Sequence, residues 1–231
     1  MAQTVTITHG KDELLDAVAS LNGRAFDTDP VIAYMLLDMS QEERLQYLPI
    51  YWTKLVKSAL LNDALITEAD GWKAASVFVP PGKYVNGVWS LLWAGFLSVL
   101  WRIGFTGVKR LWTEFSGMTD NAKRKGLRGQ KRYYYIFSIG TEHEHRGKGL
   151  AKAIIRNHQQ TAQAKKLPIW LEATSPGSRH LYLSMGFEDV EKIVLGQGKV
   201  AEDASIQPGG PGVPLWAMVW WPNSPEVPLD S

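Results

Sequence analysis

The 231-residue chain contains no cysteine. That absence excludes disulfide bonds, thiolate zinc sites, iron–sulfur clusters and a thiol nucleophile. The chain also lacks a strong charge of either sign, because 25 Lys and Arg against 23 Asp and Glu leave a formal net charge of +2. Such a small net charge gives no indication of a nucleic-acid partner. The hydrophobic fraction of 45% is typical of a folded globular protein and excludes a disordered chain.

A targeting signal is also missing. The first residues, MAQTVTITHGKDELL, contain no basic region followed by an apolar run, so we expect no secretory peptide and a cytoplasmic location. Neither an internal repeat nor a linker separates two cores, and we therefore expect a single domain over residues 1–231. The Pro-rich tail, residues 222–231, is expected to be loose.

Alternating and β-branched patterns predict seven strands, at residues 4–8, 64–68, 72–79, 132–141, 167–174, 187–194 and 213–221. Amphipathic spacing predicts helices at residues 11–21, 31–37, 41–61, 150–166 and 176–185. This order of elements predicts an α/β (α+β) fold, in which helices flank a central sheet of about seven strands.

Residues 82–132 are predicted to form a helical and basic insertion. Its first part, residues 88–105, carries one charge and three of the ten Trp residues. We expect helices that pack on the core or roof a pocket, because glycines interrupt the run and weaken a spanning interpretation. The less favoured alternative is contact of residues 88–112 with a membrane surface through an interfacial helix. Residues 102–132 contain nine basic and two acidic residues. They indicate a solvated face, with a phosphorylated ligand or an anionic surface as alternatives, and residues 120–132 are predicted to be a polar loop.

The most informative segment is HEHRGKGLAKA, residues 143–153, between a predicted strand and a predicted helix. Gly147 and Gly149 allow close approach of a ligand to the backbone, and the following helix presents unpaired N–H groups. Together they predict a phosphate or pyrophosphate site, to which Arg146 and Lys148 can add charge. The alternative is a tight strand–helix turn that needs glycine for geometry alone. The segment lacks the Lys-Ser/Thr pair of a Walker motif and the third glycine of a dinucleotide motif.

Downstream, the chain continues with LEATSPGSRHLYLSMGF, residues 171–187. In this order the two segments resemble the GCN5-related N-acetyltransferase (GNAT) superfamily, including its closing LYxxxGF motif, and are closest in motif to puromycin N-acetyltransferase-like enzymes. The resemblance covers about residues 133–194. It implies a mixed, mostly antiparallel sheet that splays at the cofactor site, and an enzyme that uses acetyl-CoA as co-substrate, without a metal.

The resemblance also assigns the cofactor contacts. Arg146, Gly147, Lys148, Gly149, Leu150 and Ala151 would hold the pyrophosphate, and Ile139, Gly140 and Thr141 would bond the pantetheine arm. Ser175 and Ser178 stand where the family often has Asn and Ala. Tyr182 matches the tyrosine near the thioester sulfur and is the candidate acid for the leaving thiolate, because a phenol can protonate a thiolate.

The acceptor side is predicted from chemistry. An amine attacks only in its neutral form, and Glu172, at the end of a strand beside the expected gap, is the candidate base. Asp27 and Asp29, in AFDTDP, would bind a cationic amine or else cap a helix, and Trp216 would contact an apolar acceptor. We therefore expect an acetyl-CoA-dependent N-acetyltransferase of a small amine, as monomer or homodimer, without nucleic acid. Acetylation of peptides or proteins, or an inert acyl-CoA-binding sensor, are the alternatives.

Overall fold

A computed structural model describes residues 5–83, 85 and 88–222. Seven strands form one sheet in the order β1-β2-β3-β4-β5-β7-β6. The strands are β1 (Ile7–Gly10), β2 (Leu65–Ala69), β3 (Ala74–Val79), β4 (Tyr134–Thr141), β5 (Ile169–Ala173), β6 (Glu188–Leu195) and β7 (Val213–Trp220). Each predicted strand is present with shifted ends. Residue 4 of the first predicted strand and residues 223–231 of the predicted tail lie outside the described residues.

The helices flank this sheet as predicted. They are α1 (Leu15–Ala25), α2 (Pro30–Met35), α3 (Gln41–Leu60), α4 (Val88–Trp93), α5 (Leu97–Lys109), α6 (Gly117–Gly126), α7 (Leu150–Lys165) and α8 (Pro176–Ser184). Apolar side chains of α1 and α3, such as Val18 and Val56, pack on one face of the sheet. Side chains of α7 and α8, such as Ile155 and Tyr182, pack on the other face.

The central pair of strands separates after a short contact. All neighbouring strands are antiparallel except β4 and β5, which run parallel and share only the pairs Tyr134↔Ile169 and Tyr135↔Trp170. β4 continues for six residues beyond Tyr135 without a partner on β5. The sheet is therefore mixed and mostly antiparallel, and it opens between its two central strands.

β4 also carries an irregularity beside this opening. Its register with β3 shifts between Val77, opposite Ser138, and Phe78, opposite Ile136, which leaves Phe137 as an extra residue. A β-bulge of this kind reverses the alternation of side chains along a strand. Tyr134 and Ile136 consequently pack with α7, whereas Ser138 faces α1, where its hydroxyl accepts a 3.1 Å hydrogen bond from Asn22 Nδ2.

A buried histidine holds α7 beneath the sheet. His158 is only 1% exposed, its Nε2 lies 2.6 Å from Ser76 Oγ, and its ring stacks on Phe78 with centroids 3.9 Å apart. Burial lowers the pKa of His158 to about 3, so the imidazole is neutral. The neutral ring thus links α7 to β3.

The insertion is helical, but it contains one more helix than the sequence predicts. Residues 110–116 form a π-helical stretch that leads into α6, so the prediction of a loop at 120–132 is wrong over 120–126. The buried face of α6 is made of Thr119, Ala122 and Gly126, which gives no apolar stripe in the sequence. A Cβ on Gly126 would lie 2.7 Å from Trp170 and 2.6 Å from Val190, which shows how closely α6 approaches the sheet.

Five of the basic side chains in residues 102–132 are ion-paired within the protein. The pairs are Arg102–Glu43, Arg110–Asp38, Lys123–Glu172, Lys125–Glu191 and Arg128–Glu188. Much of this positive charge therefore fastens the insertion to the rest of the fold. Among the residues described here, no helix has both the length and the apolar composition needed to cross a membrane.

Candidate active site

The glycine-rich turn forms an open main-chain surface at the start of α7. Gly147 and Gly149 adopt φ values of 76° and 80°, in the left-handed region that glycine tolerates best. A Cβ on either glycine would meet nothing within 4 Å, so the turn is open on this side. The unpaired N–H groups and positive dipole end of α7 follow at Leu150. The structure therefore brings together residues 146–151 in an arrangement suited to an anion.

The side chains of this turn brace it against the end of α1. Arg146 donates from Nη2 to the Ala25 carbonyl at 2.9 Å, and its Nε lies 3.4 Å from the Thr141 carbonyl. His143 Nε2 lies 3.0 Å from Asp27 Oδ1. The Arg146 guanidinium and the Asp27 carboxylate are thus used to position the turn, and Asp27 is not among the residues that line the cavity described next.

A cavity of about 220 Å³ occupies the opening between β4 and β5. Its strand side is lined by residues on β4, at the end of β5 and on α8: Ile136, Phe137, Ser138, Ile139, Glu172, Thr174, Ser178 and Tyr182. With Asp29 on another part of the lining, the structure places five predicted site residues around one space: Asp29, Ile139, Glu172, Ser178 and Tyr182. Gly140 instead faces α1, where a Cβ would lie 3.0 Å from Ala25.

The opposite wall is apolar, and part of it comes from the insertion, where residues 88–105 were predicted to pack on the core or roof a pocket. It includes Phe26, Tyr51, Trp52, Phe96 and Trp112, from the end of α1, from α3 and from the insertion. The Trp52 indole N–H is buried without a hydrogen-bond partner in the described part of the chain. A buried donor normally has a partner, so this group is available to an acceptor atom of a ligand. Since the five residues share no local motif, no sequence pattern could have grouped them.

Asp29 caps a helix, one of the two roles that the sequence left open, and it also lines the cavity. Its Oδ1 accepts hydrogen bonds from the backbone N–H groups of Val31 and Ile32, both at 2.9 Å, and so caps α2. Its Oδ2 accepts from the Thr174 hydroxyl, and the residue lines the cavity. Burial raises the pKa of this carboxyl, although the hydrogen bonds from Thr174 and the backbone oppose the shift. No Lys, Arg or His pairs with Asp29 among the described side chains, and the carboxylate would favour a cation in the cavity.

Glu172, the second carboxylate that lines the cavity, contacts three polar neighbours. Its two oxygens accept hydrogen bonds at 2.7 Å from the Tyr135 hydroxyl and the Trp170 indole N–H. Lys123 Nζ lies 3.8 Å from Oε1, and the side chain is 5% exposed. Glu172 thus differs from Asp29 in having a cationic partner, and it joins β4, β5 and α6.

Tyr182 lies on the α8 side of the cavity. The residue is 5% exposed and its ring packs 5.6 Å from that of Phe187. Burial, with a smaller effect from the charge of Asp29, raises the pKa of Tyr182, so the phenol is protonated at neutral pH and is a weaker acid than an exposed phenol. The two serines nearby form the N-terminal cap of α8, since Ser175 Oγ accepts from the Ser178 N–H and Ser178 Oγ from the Ser175 N–H, both at 3.1 Å.

Trp216 lies away from the cavity. It packs with Tyr182 and Phe187 in the core beside α8, and the guanidinium of Arg179 lies 5.5 Å from its ring. The structure thus gives it a packing role and does not place it in the cavity lining. In the described ranges, no group of three or more His, Asp or Glu side chains is arranged to hold a metal ion.

Comparison with known proteins supports the family suggested by the motifs. The acetyltransferase (GNAT) family model matches residues 95–187. A Schizosaccharomyces pombe protein, named as an uncharacterized N-acetyltransferase, is 25% identical over 180 residues, which cover 78% of this chain and 72% of that protein. These two matches support an acyltransferase of the GNAT superfamily.

Solved structures show the same fold. Arylalkylamine N-acetyltransferase 2 from Aedes aegypti has a TM-score of 0.63 and 16% identity, over 96% of this chain and all of that one. A Corynebacterium glutamicum protein, titled histone acetyltransferase HPA2 and related acetyltransferase, has a TM-score of 0.62 and 15% identity, over 96% of this chain and 99% of that one. The predicted GNAT fold is therefore confirmed, whereas the closer likeness to puromycin N-acetyltransferase-like enzymes is not.

Proposed function

We propose that this protein transfers an acetyl group from acetyl-CoA directly to the amine of a small, largely apolar molecule. The observation that carries the proposal is the opening between β4 and β5, which holds the cavity, together with the glycine turn that follows the unpaired part of β4. Of the two carboxylates that line the cavity, Asp29 has no cationic partner among the described residues. The GNAT family match is consistent with this use of acetyl-CoA.

The residues of the turn fit the diphosphate of coenzyme A. Two glycines in the left-handed region leave the backbone accessible, and the N-terminus of α7 supplies N–H donors and a positive potential. Residues 146–151 would hold the diphosphate, and Ile139 and Thr141, on the unpaired part of β4, would bond the pantetheine arm. When bound, acetyl-CoA supplies the thioester acyl group.

The acceptor cavity suits a cationic amine that carries an apolar group. Asp29 is the cavity carboxylate without a cationic partner in the described structure, and it would bind the ammonium group. The aromatic wall of Phe26, Trp52 and Phe96 would hold the apolar part. Arylalkylamine N-acetyltransferase 2, one of the structural neighbours, is named for amines of this kind.

Two side chains are proposed to handle protons. Glu172 remains the proposed base that removes a proton from the amine, directly or through a water, because it lines the cavity at the end of β5. Tyr182 is proposed to protonate the leaving thiolate, since burial keeps its hydroxyl protonated. The absence of cysteine makes a thiol acyl-enzyme impossible and favours direct transfer.

The proposal is tested by incubating the purified chain with acetyl-CoA and separate panels of arylalkylamines, polyamines, amino sugars and peptides. Mass spectrometry of the acceptor and release of free coenzyme A are the readouts. We expect acetylated arylalkylamines, with peptides modified much more slowly. Preferential acetylation of peptides would overturn the choice of acceptor. Binding of acetyl-CoA without transfer to any amine would favour the inert sensor.

A further inference from the structure

The helices α4 and α5 of the insertion expose large apolar side chains. Trp89, Trp93, Leu97, Trp101 and Phe105 are 76%, 75%, 59%, 91% and 85% exposed. A turn at residues 94–96 separates the two helices, and Gly104 interrupts α5. We call these five residues the outer stripe. Single exposed apolar residues are common on protein surfaces, but a concentration of this size on one segment is typical of an interaction site.

The fold itself does not need the outer stripe for packing. The inner side of the same segment already supplies the core contacts, through the buried residues Ala94, Phe96, Val99 and Ile103. A helical segment that is apolar on both sides typically has an apolar partner on each side. On the inner side the partners are the protein core and the cavity. The partner on the outer side remains to be identified.

The charge around the outer stripe identifies the kind of partner. Residues 88–113 contain no Asp or Glu and three cationic residues, Arg102, Lys109 and Arg110. Arg102 and Arg110 are ion-paired with Glu43 and Asp38, whereas Lys109 is exposed at the end of α5. Trp residues favour the interface between lipid headgroups and acyl chains, and cations are attracted to anionic lipids.

A second copy of the chain is a poorer match. In a two-fold symmetric contact through the outer stripe, the same surface would face itself. The exposed Lys109 of one copy would then find no Asp or Glu in residues 88–113 of the other, whereas Arg102 and Arg110 are already paired with Glu43 and Asp38 of their own chain. An anionic surface complements the same charges.

We propose that the outer stripe binds the surface of a phospholipid bilayer that contains anionic lipids. The segment lies in the interface, since the helices of the described structure are too short or too polar to cross a bilayer. Leu91 and Phe96 line the cavity from the inner side of the same segment. Binding would therefore place the cavity next to the membrane, although the inference does not depend on acetyl transfer.

The test is co-sedimentation of the whole chain with vesicles of phosphatidylcholine containing about 30% phosphatidylglycerol. The test variant is Trp89→Ala/Trp93→Ala/Trp101→Ala. Its control is Leu61→Ala/Ile206→Ala, which removes apolar side chains that are 52% and 77% exposed on other parts of the surface. We expect the triple variant to lower vesicle binding at least about tenfold and the control to leave it unchanged. Lys109→Glu should weaken binding to these vesicles about fivefold or more, and should matter less with pure phosphatidylcholine.

Circular dichroism and thermal unfolding of the triple variant establish that it folds, which we expect because the three rings are largely exposed. Quenching of Trp fluorescence by brominated acyl chains in the wild-type chain would support insertion into the interface. The proposal is overturned if the wild-type chain does not sediment with anionic vesicles, or if the folded triple variant binds as well as wild type. It is also overturned if sedimentation velocity shows a dimer that forms through the outer stripe and does not bind vesicles.

Discussion

The two halves of the candidate site are built in different ways. The proposed cofactor half is a contiguous turn, residues 146–151, with two glycines and the first N–H groups of α7 on its open side. The proposed acceptor half consists of side chains from four separate parts of the chain, including Asp29, Trp52, Phe96 and Tyr182. Main-chain recognition depends on a short local sequence, whereas side-chain recognition depends on how distant segments pack. Under the proposed function, the cofactor site would therefore be encoded locally and the choice of acceptor would not.

The largest effect is expected from Gly149→Glu, which should lower the affinity for acetyl-CoA at least about 100-fold. The new carboxylate would repel the diphosphate, and the φ of 80° strains any side chain. Isothermal titration calorimetry measures the affinity. The matched control is Gly129→Glu, because Gly129 has a φ of 84° and an equally open Cβ position outside the turn. Equal losses in both variants would contradict a local role for the turn.

Tyr182→Phe should lower kcat about 100-fold while the affinity for acetyl-CoA stays within a few-fold. The change removes the hydroxyl that we propose protonates the thiolate and keeps the ring against Phe187. Tyr134→Phe serves as control, because that ring stacks on Phe78 and lies outside the cavity lining. Steady-state kinetics of both variants measure kcat. An unchanged kcat in Tyr182→Phe would show that Tyr182 is not the proton donor.

Glu172→Gln should lower kcat by tens of fold, because the variant loses the carboxylate that we propose takes a proton from the amine. Tyr135→Phe removes one hydrogen-bond partner of Glu172 and keeps the carboxylate, so its kcat should fall much less. If Glu172→Gln alters only the thermal stability, the residue serves to join β4, β5 and α6.

Asp29→Asn should raise KM for a cationic amine about tenfold and leave the affinity for acetyl-CoA unchanged. An amide oxygen can still cap α2, so the change tests charge with little effect on folding. Asp27→Asn, two residues away, removes a carboxylate that faces His143 outside the cavity lining. The same increase in KM for both variants would argue against a specific ammonium site at Asp29.

The last prediction concerns the stability of the packing between α7 and β3. His158 has a pKa of about 3 in the folded chain against an ordinary 6.5. Between these pH values the histidine is protonated in the unfolded chain and neutral in the folded chain. The free energy of unfolding therefore decreases as the pH falls below 6.5. At pH 5 the loss from this group is about 2 kcal/mol. In denaturant unfolding, the free energy of unfolding of His158→Gln should depend less on pH in this range than that of wild type. The control His180→Gln changes an exposed histidine and should show the same pH dependence as wild type. A slope unchanged by His158→Gln would refute the account of the neutral imidazole.

The sequence predicted the local structure around the glycine turn well, because strand patterns, glycines and helix caps are local features. All seven strands and the helices around residues 143–187 follow from such patterns. The acceptor half was predicted only in part: Asp29 lines the cavity, but Trp216 does not. Trp52 and Phe96 join the site only through packing. The helix α6 was missed because small residues form its buried face, and Gly126 in particular permits its close contact with Trp170. His158 could have been found, since it shares the buried face of α7 with Ile154 and Ile155.

A crystal structure of the protein with coenzyme A would show whether the glycine turn holds the diphosphate. We expect density for the diphosphate at the N–H groups of residues 146–151 and for the pantetheine arm in the opening between β4 and β5, with its thiol facing the cavity near Tyr182. Coenzyme A bound at any other place on the molecule, with the glycine turn empty, would show that the turn is not the cofactor site.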